Sequence, residues 1–491
     1  MCSLNDFEMD GDSNKEMKKS NHKVLTESDL CRKCQINNAK FILRDKDFYC
    51  TQCFTVYFVH KFRSTIGKSR EIKHGDKVLV AFSGGISSTC LLHLIRQGLD
   101  EPATKKLQFH PHVLFINESI LNSQTSLAKI YEEIDKLNFP LSYTNLEEVL
   151  VEESKEISIK TVKSEKYLVE FQKYLHKFLW KLSENYSELL EVLRSSDLNK
   201  VDNISDESLG VSERSNELQH ILSESLKNQT SREDFLRQLR YKLICRCAKQ
   251  LGFQKVFLGC SGTELAIQIL SNVALGRGSQ IADFVQFKTN HFGVEVFLPM
   301  RETFEDEVKF FIESQNIFVP EEEEKLTPSN KPSIVSCTRA FIHNLQEEFF
   351  STVPTVFRTG SKLVRGKEAE NENEGLEGDV CSFCGLKRDT GKGGSSSALN
   401  SIKLSKKLTE NQFMKGVIDN QDDFSDKENL IDDGESEVYN LFCYGCANLM
   451  QELDYQNSSS RVQHLLVTKK SEQQNLDIIQ NYLLERGLNI P

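Results

Sequence analysis

Residues 78–99 read VLVAFSGGISSTCLLHLIRQGL, and the fold follows from how this stretch divides. Residues 78–82 are an unbroken apolar run, which suits a parallel strand buried on both faces. The pair Gly84 and Gly85 then breaks the run into a turn. Beyond it, Leu91, Leu92 and Ile95 share one side of a 3.6-residue period and Gly98 stands near the end, so the spacing predicts a helix. A strand, a glycine turn and a helix in that order aim backbone N–H groups at one point and make an anion site. Ser83, Gly84, Gly85, Ser87 and Ser88 are therefore candidate nucleotide-binding residues: the glycines let the backbone approach phosphates, and the hydroxyls can donate to them. No Gly-Lys-Ser/Thr follows, so this is not a Walker A loop.

The same alternation extends outward. Residues 112–117 predict a second strand, 122–137 a second helix and 141–146 a third strand. It resumes at Asp234: an amphipathic helix over 234–252, a strand over 255–260, a helix over 263–278, a strand over 294–300, a helix over 302–316 and a closing helix around 337–350. This order predicts the α/β class, a parallel sheet flanked by helices. The two halves, 57–150 and 234–360, are separated by a helical and Ser-rich insert over 151–233, flexible over about 181–232. Residues 1–29 read as a disordered tail. A long disordered insert over 385–438 lies inside a cysteine module spanning 361–450. A helical tail over 451–491 carries Leu476, Ile479 and Leu483 on one face.

The 491-residue chain has 61 Lys and Arg against 72 Asp and Glu, a net charge of −11, which excludes a uniformly basic nucleic-acid coat but not a local basic patch. No stretch has the roughly 18 consecutive apolar residues of a membrane span, and residues 1–20 lack the apolar region of a secretory signal. The fourteen cysteines then point to a reducing cytosol or nucleus, where clusters read as metal sites.

Cys31, Cys34, Cys50 and Cys53 form two Cys-x-x-Cys pairs on either side of a hairpin-like alternation, Phe41, Ile42, Leu43, Phe48 and Tyr49. Two residues between ligands turn both thiolates onto one ion and a hairpin returns the second pair, which predicts an N-terminal zinc module over 30–56. An iron–sulfur cluster uses the same ligand set. Cys381, Cys384, Cys443 and Cys446 predict a second zinc site, because closing even a long loop adds little entropy cost. Two unrelated pairs, half-sites shared with another chain, or a redox pair are the alternatives. Cys245, Cys247 and Cys260 read as small buried hydrophobes.

The SGGISS turn resembles the PP-loop of ATP pyrophosphatases, SGGxDS, with Ser87 where that pattern has Asp. Later, GCSGTEL (259–265) stands where tRNA-thiolating relatives have a Gly-His…Asp-Asp motif, and no central Cys-x-x-Cys is present. The whole layout resembles the cytoplasmic tRNA 2-thiolation protein 2 family: the N-terminal cysteine pairs with FYCTQCFTVYFVHKFRSTIGKSR (48–70), the altered loop, the GRG of LSNVALGRG (270–278) and the split C-terminal pairs. The resemblance implies a PP-loop (adenine nucleotide alpha hydrolase-like) fold and a cytosolic complex that 2-thiolates the wobble uridine, U34, of tRNAs. The sulfur would come from a thiocarboxylated ubiquitin-like carrier. This chain would be the non-catalytic partner of a catalytic paralogue, with no assigned catalytic residue, and Ser87 leaves ATP binding open. Lys61, Arg63, Lys68 and Arg70, with Tyr57, Phe58 and Phe62 interleaved, are the candidate tRNA contacts, the alternative being the solvated face of an amphipathic helix. A directly active tRNA sulfurtransferase and a zinc-ribbon adaptor without tRNA or nucleotide are the competing functions.

Overall fold

The computed structural model describes residues 25–26, 29–43, 46–101, 106–121, 127–162, 213–226, 228–320, 332–363, 380–388 and 442–453. Most of the expected tail over 1–29, most of the two inserts and the C-terminal helix with Leu476, Ile479 and Leu483 lie outside these residues.

The expected α/β architecture is the one observed. A seven-stranded sheet has the order β6-β5-β4-β3-β7-β9-β8, from β3 (Lys77–Phe82), β4 (His110–Asn117), β5 (Leu141–Asn145), β6 (Lys160–Val162), β7 (Lys255–Leu258), β8 (Lys288–His291) and β9 (Val294–Phe297). Strands β5, β4, β3, β7 and β9 run parallel. The central register sets Val80 opposite Val113 on one side and Phe257 on the other. The apolar run at 78–82 has the expected cause: its residues alternate between two cores. Leu79 joins Leu114, Val256 and Val296 on one face, while Val78, Val80 and Phe82 join Val113, Phe115 and Phe297 on the other.

Helices cover both faces. Phe54, Phe58 and Phe62 of α1 (Thr51–Ser69) pack with α2 (Ile86–Asp100), α3 (Leu127–Lys136) and α8 (Glu305–Ser314) on the Val80 face. The Leu79 face takes α4 (Glu213–His220), α5 (Gln229–Gln250) and α6 (Gly262–Ala274), with α7 (Ile281–Val285), α9 (Ile334–Glu348) and α10 (Thr352–Ser361) beyond. No helix among the described residues is long and apolar enough to cross a membrane.

Several boundaries differ from expectation. Lys160–Val162 is not insert but an antiparallel edge strand on β5, and Lys288–His291 is another on β9. Both are short and polar, so neither carries the apolar run that marks the buried strands. Within the Ser-rich region, Leu218, Ile221, Leu222 and Leu226 are buried against the Leu79 face, and α5 starts at Gln229 rather than Asp234, with the Asn228 side chain accepting from Ser231 N at 2.7 Å. Composition hid these few apolar residues at helical spacing. The module boundary at 56/57 falls inside α1, which runs from the cysteine site into the core. The C-terminal module is likewise continuous with the main core, through Cys381, Phe383, Phe442 and Cys446.

Candidate metal centres and the loop at the sheet crevice

The two cysteine sets form two sites built on one plan. In the first, the Sγ atoms of Cys31, Cys34, Cys50 and Cys53 all lie within 4.8 Å of one another, with Cys34 and Cys50 at 3.9 Å. β1 (Phe41–Leu43) and β2 (Asp47–Tyr49) are the antiparallel hairpin that returns the second pair, with Ile42 opposite Phe48. Gln35 N donates to Cys31 O at 2.8 Å and closes the first knuckle, while Cys50 is the N-cap of α1. In the second, Cys381, Cys384, Cys443 and Cys446 meet the same limit, with Cys384 and Cys443 at 3.9 Å. Gly385 N closes that knuckle on Cys381 O at 2.9 Å, and Cys443 is the N-cap of α11 (Tyr444–Glu452). A helix N-terminus favours negative charge on the sulfurs beside it.

The donor sets fit one tetrahedral ion each. A zinc–sulfur bond of about 2.3 Å places neighbouring sulfurs about 3.8 Å apart, close to the spacings seen. Without a cation such a set cannot ionise fully. Burial works against the Cys31 thiolate, but the backbone N–H groups of Cys34, Cys50 and Lys33 overcome it and bring its pKa to about 6. Burial and the neighbouring thiols push Cys53 up to about 12. In the second site, hydrogen bonds from Cys381 and Cys384 hold Cys443 well below the ordinary thiol value, while contact with Cys381 and Cys443 pushes Cys384 well above it. Each site thus favours the thiolate at some of its cysteines and opposes it at others, and a divalent ion is what lets all four ligate.

The surroundings of the two centres differ. Cys34 and Cys53 are half-exposed, whereas all four cysteines of the second centre are buried. That centre is fastened by Arg277, 1% exposed, whose Nη2 donates to Cys446 Sγ at 3.4 Å and whose Nη1 donates to Asp234 Oδ2 at 2.6 Å. Arg237 Nη2 donates both to Asp234 Oδ1 and to Asn272 Oδ1, each at 2.8 Å. Burial opposes the Asp234 carboxylate, but Arg277 and Arg237 hold it below the usual carboxylate range. An ion with four thiolates carries excess negative charge, so the guanidinium is a countercharge in the right place. The turn at 276–278 is shaped for the knuckle at 444–446: a Cβ on Gly276 would stand 2.6 Å from the Tyr444 ring, and one on Gly445 2.5 Å from Arg277 Cγ. In the sequence the GRG turn stands out only through the family resemblance. Its one signal was a lone Arg between glycines, and nothing local connects it to Asp234 or Cys446.

The glycine turn stands at the carboxyl end of β3, whose neighbours β4 and β7 are reached in opposite directions along the sheet. That reversal opens a crevice where α/β sheets bind ligands. Gly85 is the N-cap of α2, so helix N–H groups do face the turn. The serine hydroxyls, however, bond within it: Ser83 Oγ and Ser88 Oγ are 3.1 Å apart, and Ser88 Oγ donates to Gly85 O at 2.9 Å. Ser87 is half-buried in the first turn of α2. A Cβ on Gly259 would come within 2.9 Å of Ser88 Cα, so the segment after β7 closes against the turn. At the end of β4, Arg240 Nε and Nη2 donate to the two carboxylate oxygens of Glu118, each at 2.5 Å. Cys245, Cys247 and Cys260 are pushed up to about 12, each chiefly by burial.

The four basic candidates do not form one patch. Lys61 Nζ donates to both oxygens of Glu307, at 2.8 and 2.7 Å. Arg63 Nη1 stands 3.4 Å from Glu101 Oε1. Lys68 is exposed in the last turn of α1, and Arg70 is its exposed C-cap, at a left-handed φ of 55°. Lys61 and Lys68 share one helix face, from which Arg63 is turned away.

Comparison with known proteins places these features in a family. Residues 333–448 match the model of the family described as cytoplasmic tRNA 2-thiolation protein 2. The chain is 33% identical over 413 residues to cytoplasmic tRNA 2-thiolation protein 2-A of Xenopus laevis, covering 79% of this chain and 78% of that protein. It is 31% identical over 400 residues to cytoplasmic tRNA 2-thiolation protein 2 of Danio rerio, with 79% and 78% covered. It is 27% identical over 472 residues to its counterpart in Anopheles gambiae, covering 92% of this chain and all of that one. Among solved structures, the U34-tRNA thiolase NcsA from Methanococcus maripaludis with its 4Fe–4S cluster aligns at a TM-score of 0.44 and 15% identity, over 82% of this chain and 100% of that one.

Proposed function

The chain belongs to the cytoplasmic tRNA 2-thiolation protein 2 family, and from that premise we propose that it is the non-catalytic subunit of the complex that 2-thiolates U34. Its role is in tRNA thiolation, in the cytoplasm that the family is named for. A catalytic paralogue supplies the ATP chemistry and the reactive thiolates, and a ubiquitin-like carrier delivers the sulfur as a thiocarboxylate. This chain contributes shape, two zinc centres and part of the tRNA surface.

One observation carries the non-catalytic assignment. Sulfur transfer needs an accessible thiolate, yet Cys245 and Cys247 in α5 are buried, Cys260 at the crevice is half-buried, and burial pushes all three thiols up to about 12. The remaining clustered thiols belong to the two four-Cys sites, where a tetrahedral ion leaves no open position. The loop supports the same assignment, since Ser83 and Ser88 satisfy one another and Ser87 offers no charge to orient a metal ion on phosphate.

The test is reconstitution. Co-expression with a paralogue carrying SGGxDS and a central Cys-x-x-Cys is expected to yield a 1:1 complex by size-exclusion chromatography with mass measurement. Thiolation of tRNA should need both chains. Turnover by this chain alone, lost on Ser87→Ala, would establish the directly active alternative instead.

The metal assignment has its own check. Elemental analysis of purified protein is expected to find two zinc ions per chain. The close sulfur spacing suits a single ion rather than a multi-iron cluster with bridging sulfides. Iron with a visible chromophore would replace zinc, and one zinc per chain would remove one of the two sites.

A further inference from the structure

A cleft of about 480 Å³ opens between α1 and the segment that follows β9, with Tyr57, His60, Lys61, Lys68, Phe287 and Arg301 in its walls. That volume lies in the range of small-ligand sites, about 300–1,000 Å³. Residues 57, 61 and 68 fall on one face of α1, so a single helix presents an aromatic ring and two ammonium groups to it.

The charges in the cleft are not equivalent. Lys61 is neutralised by Glu307. Arg301 is not matched in this way: its side chain is only 15% exposed, and its one carboxylate neighbour among the described residues, Glu302, is 3.8 Å away and 48% exposed. Its Nε is buried without a hydrogen-bond partner among the described residues, and its guanidinium lies 5.2 Å from the Phe357 ring. Burial pulls Arg301 below the usual arginine range, the sign of a cation short of compensation. Lys68 is exposed and makes no ion pair among the described residues, and His60 is exposed beside it. Glu302 also lines the cleft, so with Lys61 committed to Glu307 the two cations Arg301 and Lys68 face one carboxylate and leave an excess positive charge that an anionic group complements, while the half-buried rings of Tyr57 and Phe287 offer apolar surface next to it. Phosphate on a guanidinium and an ammonium, with a base on an adjacent ring, is how single-stranded nucleic acid is held.

We infer that this cleft takes one nucleotide unit of an RNA strand, its phosphate on Arg301 and Lys68 and its base against Tyr57 and Phe287. The inference rests on the tRNA role above and gives it a location that includes Arg301, Tyr57 and Phe287 and leaves out Arg63 and Arg70.

The experiment is equilibrium binding of labelled tRNA and of a short oligouridylate to the full chain, alone and in the complex, between about 50 and 200 mM salt. Lys68→Ala with Arg301→Gln should weaken both ligands about tenfold or more and flatten the salt dependence by about one to two released counterions. Tyr57→Ala should weaken them about tenfold at an unchanged salt slope, because stacking carries no charge. Arg63→Ala and Arg70→Ala should leave the oligonucleotide within about twofold. If the Arg301 variant does not melt like the parent, the exposed Lys68→Ala alone decides, by a slope reduced by about 0.7. Tight tRNA binding that ignores every cleft variant would overturn the cleft and leave the tRNA role standing. No binding of tRNA by chain or complex would overturn both. ATP binding that is lost in the cleft variants while oligouridylate binding persists would assign the cleft to a free nucleotide and overturn the RNA assignment.

Discussion

Cys446→Ser is expected to abolish metal binding at the C-terminal centre and to unfold the face of the sheet on which that centre sits. Structural zinc contributes about 10–16 kcal/mol of apparent folding free energy in small modules, against a net stability of about 5–15 kcal/mol for a whole domain. The effect should spread because Cys381, Phe383, Phe442 and Cys446 belong to the same core as Leu79, Phe235 and Val256. Phe383 stacks on Phe235 of α5 with ring centroids 5.5 Å apart. Cys53→Ser removes a ligand of the other centre, but at a half-exposed position, and should leave the Leu79 face folded. Zinc content, circular-dichroism melting and limited proteolysis of the two variants separate the cases. A Cys446→Ser protein that keeps two zinc ions and melts within a few degrees of the parent would contradict the placement of the centre in the core.

Arg277→Leu should be nearly as damaging without touching a ligand. The substitution leaves the Asp234 carboxylate buried, with Arg237 its one remaining cation, and strips Cys446 of its donor. Breaking a buried pair by removing one partner costs about 3–5 kcal/mol. Arg277→Lys should recover only part of this, since one ammonium cannot span Asp234 and Cys446 as the planar guanidinium does. Adding Asp234→Leu to Arg277→Leu should recover much of it, because no unpaired charge then stays buried. The pH dependence follows in sign. Asp234 is held below its ordinary value in the folded chain, so its contribution is present above about pH 4 and is lost as the pH falls through the lower native value. The penalty of Arg277→Leu should therefore shrink in acid, where Asp234 protonates. Urea midpoints across this pH range test it, and a penalty that is flat with pH or below about 1 kcal/mol would refute the buried-pair account.

What the sequence determined by itself was whatever rests on short-range pattern. The unbroken apolar runs at 78–82 and 256–258 named the central strands, because a strand buried on both faces has no polar alternation to obscure it. Cys31-x-x-Cys34 and Cys50-x-x-Cys53 named a ligand set, because a knuckle and a hairpin are local geometry. The tertiary structure alone decided matters that join distant segments. It made the C-terminal cysteines part of the core rather than a module beside it, through Arg277 and the facing glycines at 276 and 445. It added the polar edge strands Lys160–Val162 and Lys288–His291, which only a neighbouring strand makes into strands. And it divided one run of basic residues, committing Lys61 to Glu307 and Arg63 to Glu101 while leaving Lys68 beside the cleft. Spacing along a helix fixes which side chains share a face, but the carboxylate that neutralises a charge comes from far along the chain, 246 residues away for Lys61 and Glu307.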